Sequence, residues 1–580
     1  MGITIIRKPR IWRSYLVYDL EWVPGTLELR LVGVYDGERY RCYTTIDAFI
    51  ANEMTSKNRG KWFYAHAGGL ADFQFVLEAL LKKRGYKVTA SFSGSSAIIV
   101  HVTRGKNSWH FIDSYWLMRD SLRNIGKWVG IHKGNEEESV EWYATAPLAE
   151  LITYNEQDCI ILYRAIEFFE EVLLGLGGQL KMTQASSAME LFRRRFLKAD
   201  IETSFAANEI ARKAYFASRV EVITTQCEDA LYYDVNSSFP YAMTFPCPGE
   251  LLGTVKGRFP KAGYPLFLSD VIVEVPETYL PPLPTRFAGR LFFPCGIWRG
   301  WYSSIDIELL LAQGGKIHKV YQSLVFQPFE DLRDYATTLY DLRAKSEGFP
   351  KLAYKYLLNS LYGKFAESPE KRSLRINPET IGKGWTMLFP GAFLVESNVP
   401  VPHMHVPISV HITAIARRTL FNYMGVSSEL HYCDTDGFST TDTYLEDAKR
   451  LGALKLEKRL RHGRFVAAKV YDMDGTDDKG DLRTDILDAK GEVVAKGNRG
   501  IKAKGFSKMT LEKFERLLRS EDIEYTRMAR IQELAREGVI KPRESLIRKR
   551  LRTETMSKRF FYPDGHSRPW WHDEIKDKLG

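Results

Sequence analysis

Residues 14–22, "SYLVYDLEW", are apolar or β-prone except at two alternate positions, Asp19 and Glu21. That pattern predicts a buried strand with both carboxylates on one face. In "YAHAGGLADFQFVLEALL", residues 64–81, two glycines precede Asp72 and an apolar, helix-like run follows it. "ITYNEQDCIILYRAIEFFEEVLLGL", residues 152–176, reads as a long helix, with Tyr154 and Asp158 four apart on one face.

Further along, "ALYYDVNSSFPYAM", residues 230–243, runs from a β-rich segment into a turn, with Asp234 at the strand's end. "FPKLAYKYLLNSLYGKFA", residues 349–366, predicts a helix after Pro350. Lys351, Lys355, Asn359 and Tyr362 fall on one face of it, and Ala353, Leu357 and Leu361 on the other. The apolar stripe is what any core-facing helix needs. Two cations, an amide and a phenol on the opposite stripe are unusual, and cations so placed can neutralise a triphosphate as its leaving group develops charge. "HYCDTDGFST", residues 431–440, puts Asp434 and Asp436 among strand formers. Such a pair reads either as a solvated hairpin turn or as oxygen ligands for a hard divalent cation. The pair alone does not decide.

The chain has 580 residues, 44% hydrophobic and 13% aromatic, which suits several globular domains. Its net charge of +10 permits a polyanionic partner. Residues 501–560 carry 17 Lys/Arg against 9 Asp/Glu, either a solvated helical surface or one that contacts phosphates. The six cysteines all lie at least 20 residues apart and form no C-x-x-C pair, which argues against zinc and thioredoxin-like chemistry. Free thiols suit a reducing cytoplasm. No signal-peptide pattern, myristoylation site or run of 18 apolar residues occurs, so no membrane role is expected.

Asp19, Glu21, Asp72 and Asp158 supply four carboxylates, and with Tyr154 they could hold two metal ions roughly 3.5–4 Å apart, the arrangement that cleaves phosphodiesters. D-x-E, a lone Asp and Y-x-x-x-D in this order resemble the three motifs of proofreading 3′–5′ exonucleases. The resemblance implies that the carboxylates are metal ligands and that Tyr154 orients the attacking water. Ala67 and Ala71 depart from the family, whose usual Asn and Phe help hold the frayed primer end, so the implied proofreading is weakened. Lys133 matches a lysine that assists this site.

"DVNSSFP", "KYLLNSLYG" and "YCDTDGF" resemble motifs A, B and C of family B DNA polymerases, D-x-x-S-L-Y-P, K-x-x-x-N-S-x-Y-G and Y-x-D-T-D-S. The resemblance implies a mixed α/β fold: an RNase H-like exonuclease domain, then a right-hand palm, fingers and thumb. It implies that Asp234, Asp436 and the Val235 carbonyl hold two Mg²⁺ ions, which Mn²⁺ can replace, with Asp434 in support and two more ions at the exonuclease site. Ser237, Ser238, Arg343, Lys351 and Lys355 would meet the triphosphate, and Asn359 and Tyr362 the nascent base pair. Phe239 stands where the family has its sugar-gate Tyr, and a phenyl ring still blocks a ribose 2′-OH. Gly437 stands where the family has Ser, which implies looser primer-side contacts.

Two extra segments, between motif A and the fingers and again after motif B, resemble the terminal-protein regions of protein-primed polymerases from phages and linear plasmids. Tyr215 to Arg219, "YFASR", resembles their Y-x-G-G/A link; Thr413 and Arg417 match a template-binding motif; Lys469 and Tyr471 match K-x-Y, which contacts the primer. The implied divisions are an exonuclease domain over 1–175 and a polymerase domain over 176–580. Within the latter, palm is expected at about 220–255 and 406–475, insertions at 256–340 and 367–405, fingers at 341–366 and thumb at 476–580. The expected partners of this monomer are primer–template DNA, dNTPs and a terminal protein. The second insertion is expected to be a β-hairpin projecting from the fingers–palm junction and closing a ring around DNA. Three alternatives stay open: a family B polymerase that starts from nucleic-acid primers or none, an exonuclease with a DNA-binding C-terminal half, and a non-enzymatic DNA-binding protein.

Overall fold

A computed structural model of the chain describes residues 2–133, 139–476, 486–487, 493–495, 500–506, 509–551 and 557–579. Parts of the expected thumb therefore lie outside the described residues.

The first third folds around a mixed sheet. Strands Tyr15–Trp22, Trp62–Ala65 and Asn107–Asp113 run parallel at its centre. Leu29–Tyr35 and Tyr40–Tyr43 extend one side antiparallel, and Ser96–Arg104 and Lys87–Ser93 the other. Helix Leu148–Gly175 packs across the strands that carry Asp19 and Glu21. Gly33, paired with Asp19 across the sheet, makes that packing possible. A Cβ there would lie 1.6 Å from Asn155 Oδ1, so a side chain would push the helix off the carboxylates.

A second, antiparallel sheet runs in the order Val220–Val222, Leu430–Asp434, Gly437–Thr440, Gln226–Val235, Leu454–Ala467, Val470–Thr476, Gly500–Ala503. Residues 431–440 are a hairpin in this sheet, turning at Thr435 with φ of 70°. Helices Asp331–Lys345 and Gly348–Lys364 pack together; the latter starts two residues before Pro350, not after it. A proline within the first turn costs no hydrogen bond, because those amides have no partner inside the helix. Its Leu357 and Leu361 are fully buried, while Lys351, Lys355 and Asn359 are exposed, as the polar stripe predicts. The first insertion contributes three strands, Lys316–Phe329, Phe267–Val275 and Gly296–Ser303, to a four-stranded antiparallel sheet whose fourth strand, Cys247–Lys256, comes from the segment expected as palm.

The second insertion differs from expectation. Its strands, Glu370–Ile376, Thr386–Phe389 and Ala392–Asn398, do not project. Glu370–Ile376 pairs with Lys87–Ser93, Leu374 opposite Ala90, and makes the first sheet ten-stranded. An edge strand leaves a row of unpaired amides and carbonyls, and a second strand with matching alternation satisfies them. The inward Leu374 and Ile376 then join the core of the first sheet. Ile531 and Ala535, from the short helix Ile531–Arg536, enter the same core. Gln74 Nε2 donates to the Ala529 carbonyl at 2.6 Å and Gln532 Nε2 to that of Gly94 at 3.1 Å. The first sheet, the second insertion and the C-terminal part thus share one apolar cluster.

Leu374→Asp should break this junction. A buried carboxylate without a partner costs several kcal/mol, on the order of 3 or more. Hydrogen exchange read by mass spectrometry should show faster exchange of the Lys87–Ser93 amides, with the Tyr15–Trp22 strand unaffected; unchanged exchange at 87–93 would contradict the pairing.

Candidate active sites

At the first site, ligand oxygens of Asp19, Glu21 and Asp158 all lie within 4.8 Å of one another. Two come from one face of the strand and one from helix Leu148–Gly175, as alternation and i,i+4 spacing predict. Asp72 stands outside that group. It is buried at the start of helix Asp72–Leu81, where it feels the charge of Asp19. Burial pushes the carboxyls of Asp19, Glu21 and Asp72 above the ordinary carboxylate range, and the Asp19 charge adds to this for Glu21 and Asp72. Asp72 Oδ1 has no hydrogen-bond partner among the described residues. A cluster of buried carboxylates with an unsatisfied oxygen fits hard divalent cations, which supply the missing charge.

Asn155 was not singled out from the sequence. Its amide reaches Asp19 Oδ2 at 3.2 Å and Glu21 Oε1 at 3.1 Å, and its carbonyl accepts from Tyr40 Oη at 2.8 Å. It is fully buried and spaces the two carboxylates. Its only sequence signal is its position inside "YNEQD". Lys133 Nζ pairs with Asp158 at 2.9 Å and lies 4.8 Å from the Tyr154 ring centroid. Burial, then the Asp158 charge, pushes the Tyr154 phenol up, so it stays a hydrogen-bond donor. Ala67 sits at φ of 58° and Ala71 is buried, both in the turn before Asp72.

At the second site, Asp234 pairs with Gly437 across adjacent strands, and the Val235 amide donates to the Asp436 carbonyl at 2.8 Å. This register brings Asp234, Asp434 and Asp436 to one end of the sheet. Burial, then Asp436, pushes Asp234 up to about 7. Burial, then Asp434, pushes Asp436 up to about 6. Asp434 forms an ion pair with Lys469 and accepts from Thr435 Oγ1 at 3.0 Å. The Phe239 ring stacks on Tyr362, centroids 4.3 Å apart and planes 8° apart. Arg343 Nη1 donates to Ser237 Oγ at 3.2 Å, and Ser237 adopts φ of 52° at the start of a short helix in which Ser238 is buried. Motif A, the fingers helices and the hairpin therefore converge, with Lys351, Lys355 and Asn359 exposed along one helix.

Other residues face protein. Arg417 is buried and donates to the Phe216 carbonyl at 2.7 Å, and its other Nη pairs with Asp306 at 2.8 Å. Arg219 is buried against Glu221 at 2.7 Å, and Thr413 is buried with its hydroxyl on the Val410 carbonyl at 3.0 Å. The polar atoms of these three are engaged with protein groups: Arg417 and Arg219 brace the 215–219 stretch, and Thr413 bonds within its own helix. Ser218 Oγ donates to the Thr435 carbonyl, and Thr435 N donates to the Arg219 carbonyl at 2.8 Å, so this stretch holds the hairpin tip. Tyr215 is half-buried, and its phenol is close enough to influence Tyr362. Tyr471 packs near Tyr432, ring centroids 5.5 Å apart.

In folded protein Asp234 and Asp436 bind protons up to about 7 and 6, whereas unfolded they release them near 4. Folding thus takes up protons between those limits, and the stability this confers without metal, full below about 4, is lost progressively as pH rises to about 6 to 7. Asp234→Asn should remove much of that loss. In chelator at pH 8 it should unfold at higher temperature than wild type, by on the order of 1 kcal/mol of stability. Equal melting curves at pH 8 would contradict the proton assignment.

A family model described as "DNA polymerase type B, organellar and viral" matches residues 134–386. A "Probable DNA polymerase" of Neurospora intermedia is 29% identical over 364 residues, 56% of this chain and 37% of that protein. The chain spans less than half the length of this and the Podospora anserina relative, 37% and 42%. The "DNA-directed DNA polymerase" of Enterobacteria phage PRD1 is 25% identical over 76% of this chain and 78% of its own. Among solved structures, phi29 DNA polymerase complexed with primer-template DNA and incoming nucleotide substrates superposes with a TM-score of 0.71. It is 18% identical and covers 93% of this chain and 100% of that one. The shared fold is an exonuclease domain followed by palm, fingers and thumb.

Proposed function

We propose that this chain, a family B DNA polymerase of the phage and organellar kind, adds dNTPs to a primer 3′-hydroxyl at the second site and removes mispaired 3′ ends at the first. The observation that carries the reading is the convergence at the second site. Asp234 and Asp436 are locked on neighbouring strands by the Val235–Asp436 backbone bond. The Phe239–Tyr362 stack and the Arg343–Ser237 contact flank them.

Asp234, Asp436 and the Val235 carbonyl would hold divalent cations, Mg²⁺ or Mn²⁺, whose chemistry is to activate the primer hydroxyl and neutralise the triphosphate. Asp434, paired with Lys469, supports the hairpin and keeps that lysine beside the primer side of the site. Arg343, Lys351 and Lys355 meet triphosphate oxygens. The Phe239 ring, backed by Tyr362, fills the space a ribose 2′-OH needs. At the first site Asp19, Glu21, Asp72 and Asp158 would hold the corresponding ions. Tyr154, kept protonated, orients water, and Lys133 stabilises Asp158.

The two insertions and the 215–219 stretch support initiation on a terminal protein in a reducing, cytoplasmic setting. Six free cysteines agree with such a setting. Among the described residues no helix is long and apolar enough to cross a membrane. The apolar cluster that joins the first sheet, the second insertion and Ile531–Arg536 supports a closed path around DNA, and with it strand displacement. A closed path resists dissociation even when each phosphate contact is weak and salt-sensitive.

Asp436→Asn should lower primer extension by at least ~10³-fold, as expected when a charged metal ligand is lost, and leave degradation of single-stranded DNA intact. Asp19→Ala with Asp158→Ala should do the reverse. Extension by Asp436→Asn near the wild-type rate would refute the polymerase assignment and favour a plain exonuclease. Phe239→Val should raise ribonucleotide incorporation; unchanged discrimination between rNTP and dNTP would place the sugar gate elsewhere.

A further inference from the structure

Gly437 directly follows the aspartate pair in the hairpin. The structure shows why a side chain is missing. A Cβ built at Gly437 would lie 2.5 Å from Tyr232 Oη, 2.8 Å from Tyr232 Cζ and 2.9 Å from the Tyr233 carbonyl oxygen. The phenol of Tyr232, from the neighbouring strand, occupies the volume that residue 437 would use.

Tyr232 lies two residues before Asp234, so both point to the same face of the sheet. It pairs with Ser439, and Asp234 pairs with Gly437. Asp434, Tyr471, Asp234 and Tyr432 act electrostatically on its hydroxyl. Its neighbour Tyr432 is engaged: the Tyr432 hydroxyl accepts from Lys469 N at 3.0 Å and donates to Asp434 Oδ2 at 3.5 Å. The Tyr232 hydroxyl has no hydrogen-bond partner among the described residues. A phenol beside two carboxylate-bearing strands, next to the K-x-Y residues and without a protein partner, is free to bond a ligand.

We propose that Tyr232 is a primer-contact residue: its hydroxyl, reaching across from the Asp234 strand, makes a hydrogen bond to the primer terminus, and Gly437 is required to admit it. The partner chemistry is a sugar or phosphate oxygen at the 3′ end of a DNA primer. The inference rests on the polymerase reading above.

The test is single-nucleotide extension of a primer–template by the full chain, with KM for primer–template and for dNTP measured separately. Degradation of single-stranded DNA serves as the folding control. Tyr232→Phe keeps the ring and removes only the hydroxyl. It should raise the primer–template KM roughly 3- to 10-fold, the range for one hydrogen bond, with little change in dNTP KM. Gly437→Ser should fall further, because the added atoms meet the phenol. Tyr232→Val with Gly437→Ser should recover part of that loss, limited by the remaining 2.9 Å approach to the Tyr233 carbonyl. Tyr232→Phe with wild-type primer–template KM would overturn the proposal and leave Tyr232 a packing residue. So would a double variant no better than Gly437→Ser alone. A wild-type chain that extends no primer at all would instead refute the polymerase reading, and this proposal with it.

Discussion

Buried carboxylates repel one another, and only a rigid scaffold keeps several of them together. Both sites obey that constraint. At the first, Asp19 and Glu21 are fixed by strand alternation, and Asn155 holds the two apart from a helix that Gly33 allows to approach. At the second, the hairpin register sets Asp434 and Asp436 beside Asp234, and the Val235 amide ties the two strands. Burial first, and the neighbouring carboxylates second, raise the proton affinities of Asp234 and Asp436. Bound cations would relieve that cost, which gives these carboxylates a physical reason to favour a hard divalent ion.

Support for the hairpin comes from far along the chain. The Ser218 hydroxyl and the Arg219 carbonyl hold its tip. Arg219 is itself buried against Glu221, and Arg559, fully buried, sits 4.0 Å from the same carboxylate. Lys558 Nζ donates to the Val220 carbonyl at 2.8 Å. Residues near the C-terminal end of the chain therefore brace the strand that backs the aspartate pair. An excess of buried cations around one glutamate is tolerable only with such carbonyl partners, because each unpaired charge in the interior is costly.

The two halves are also not independent in their cores. The helix that carries Tyr154 and Asp158 contributes Ile161, Leu162 and Ile166 to an apolar cluster that includes Leu357 and Leu361 of the fingers helix and Ile408 of helix Val406–Met424. A second cluster joins the exonuclease sheet to the second insertion and to Ile531–Arg536. Shared burial of this kind sets the relation of the two sites more firmly than the exposed ion pairs between segments, which contribute little each.

Local pattern determined what local physics controls. Period-two alternation placed Asp19 and Glu21 on one strand face, helical spacing placed Tyr154 with Asp158, and the polar stripe of 351–362 emerged on the exposed side of its helix. Hydrophobic period and turn chemistry act over a few residues, so they are readable without knowing the fold. Tertiary structure decided the rest. Asn155 lies between carboxylates 134 and 136 residues away, Arg417 turned inward to Asp306, and the second insertion paired with Lys87–Ser93 because an edge strand there lacked a partner. Gly437 reads in sequence as a lost serine, and only the register of two strands shows Tyr232 in its place. Such contacts depend on which segments meet in space, and no short-range pattern along the chain records that choice.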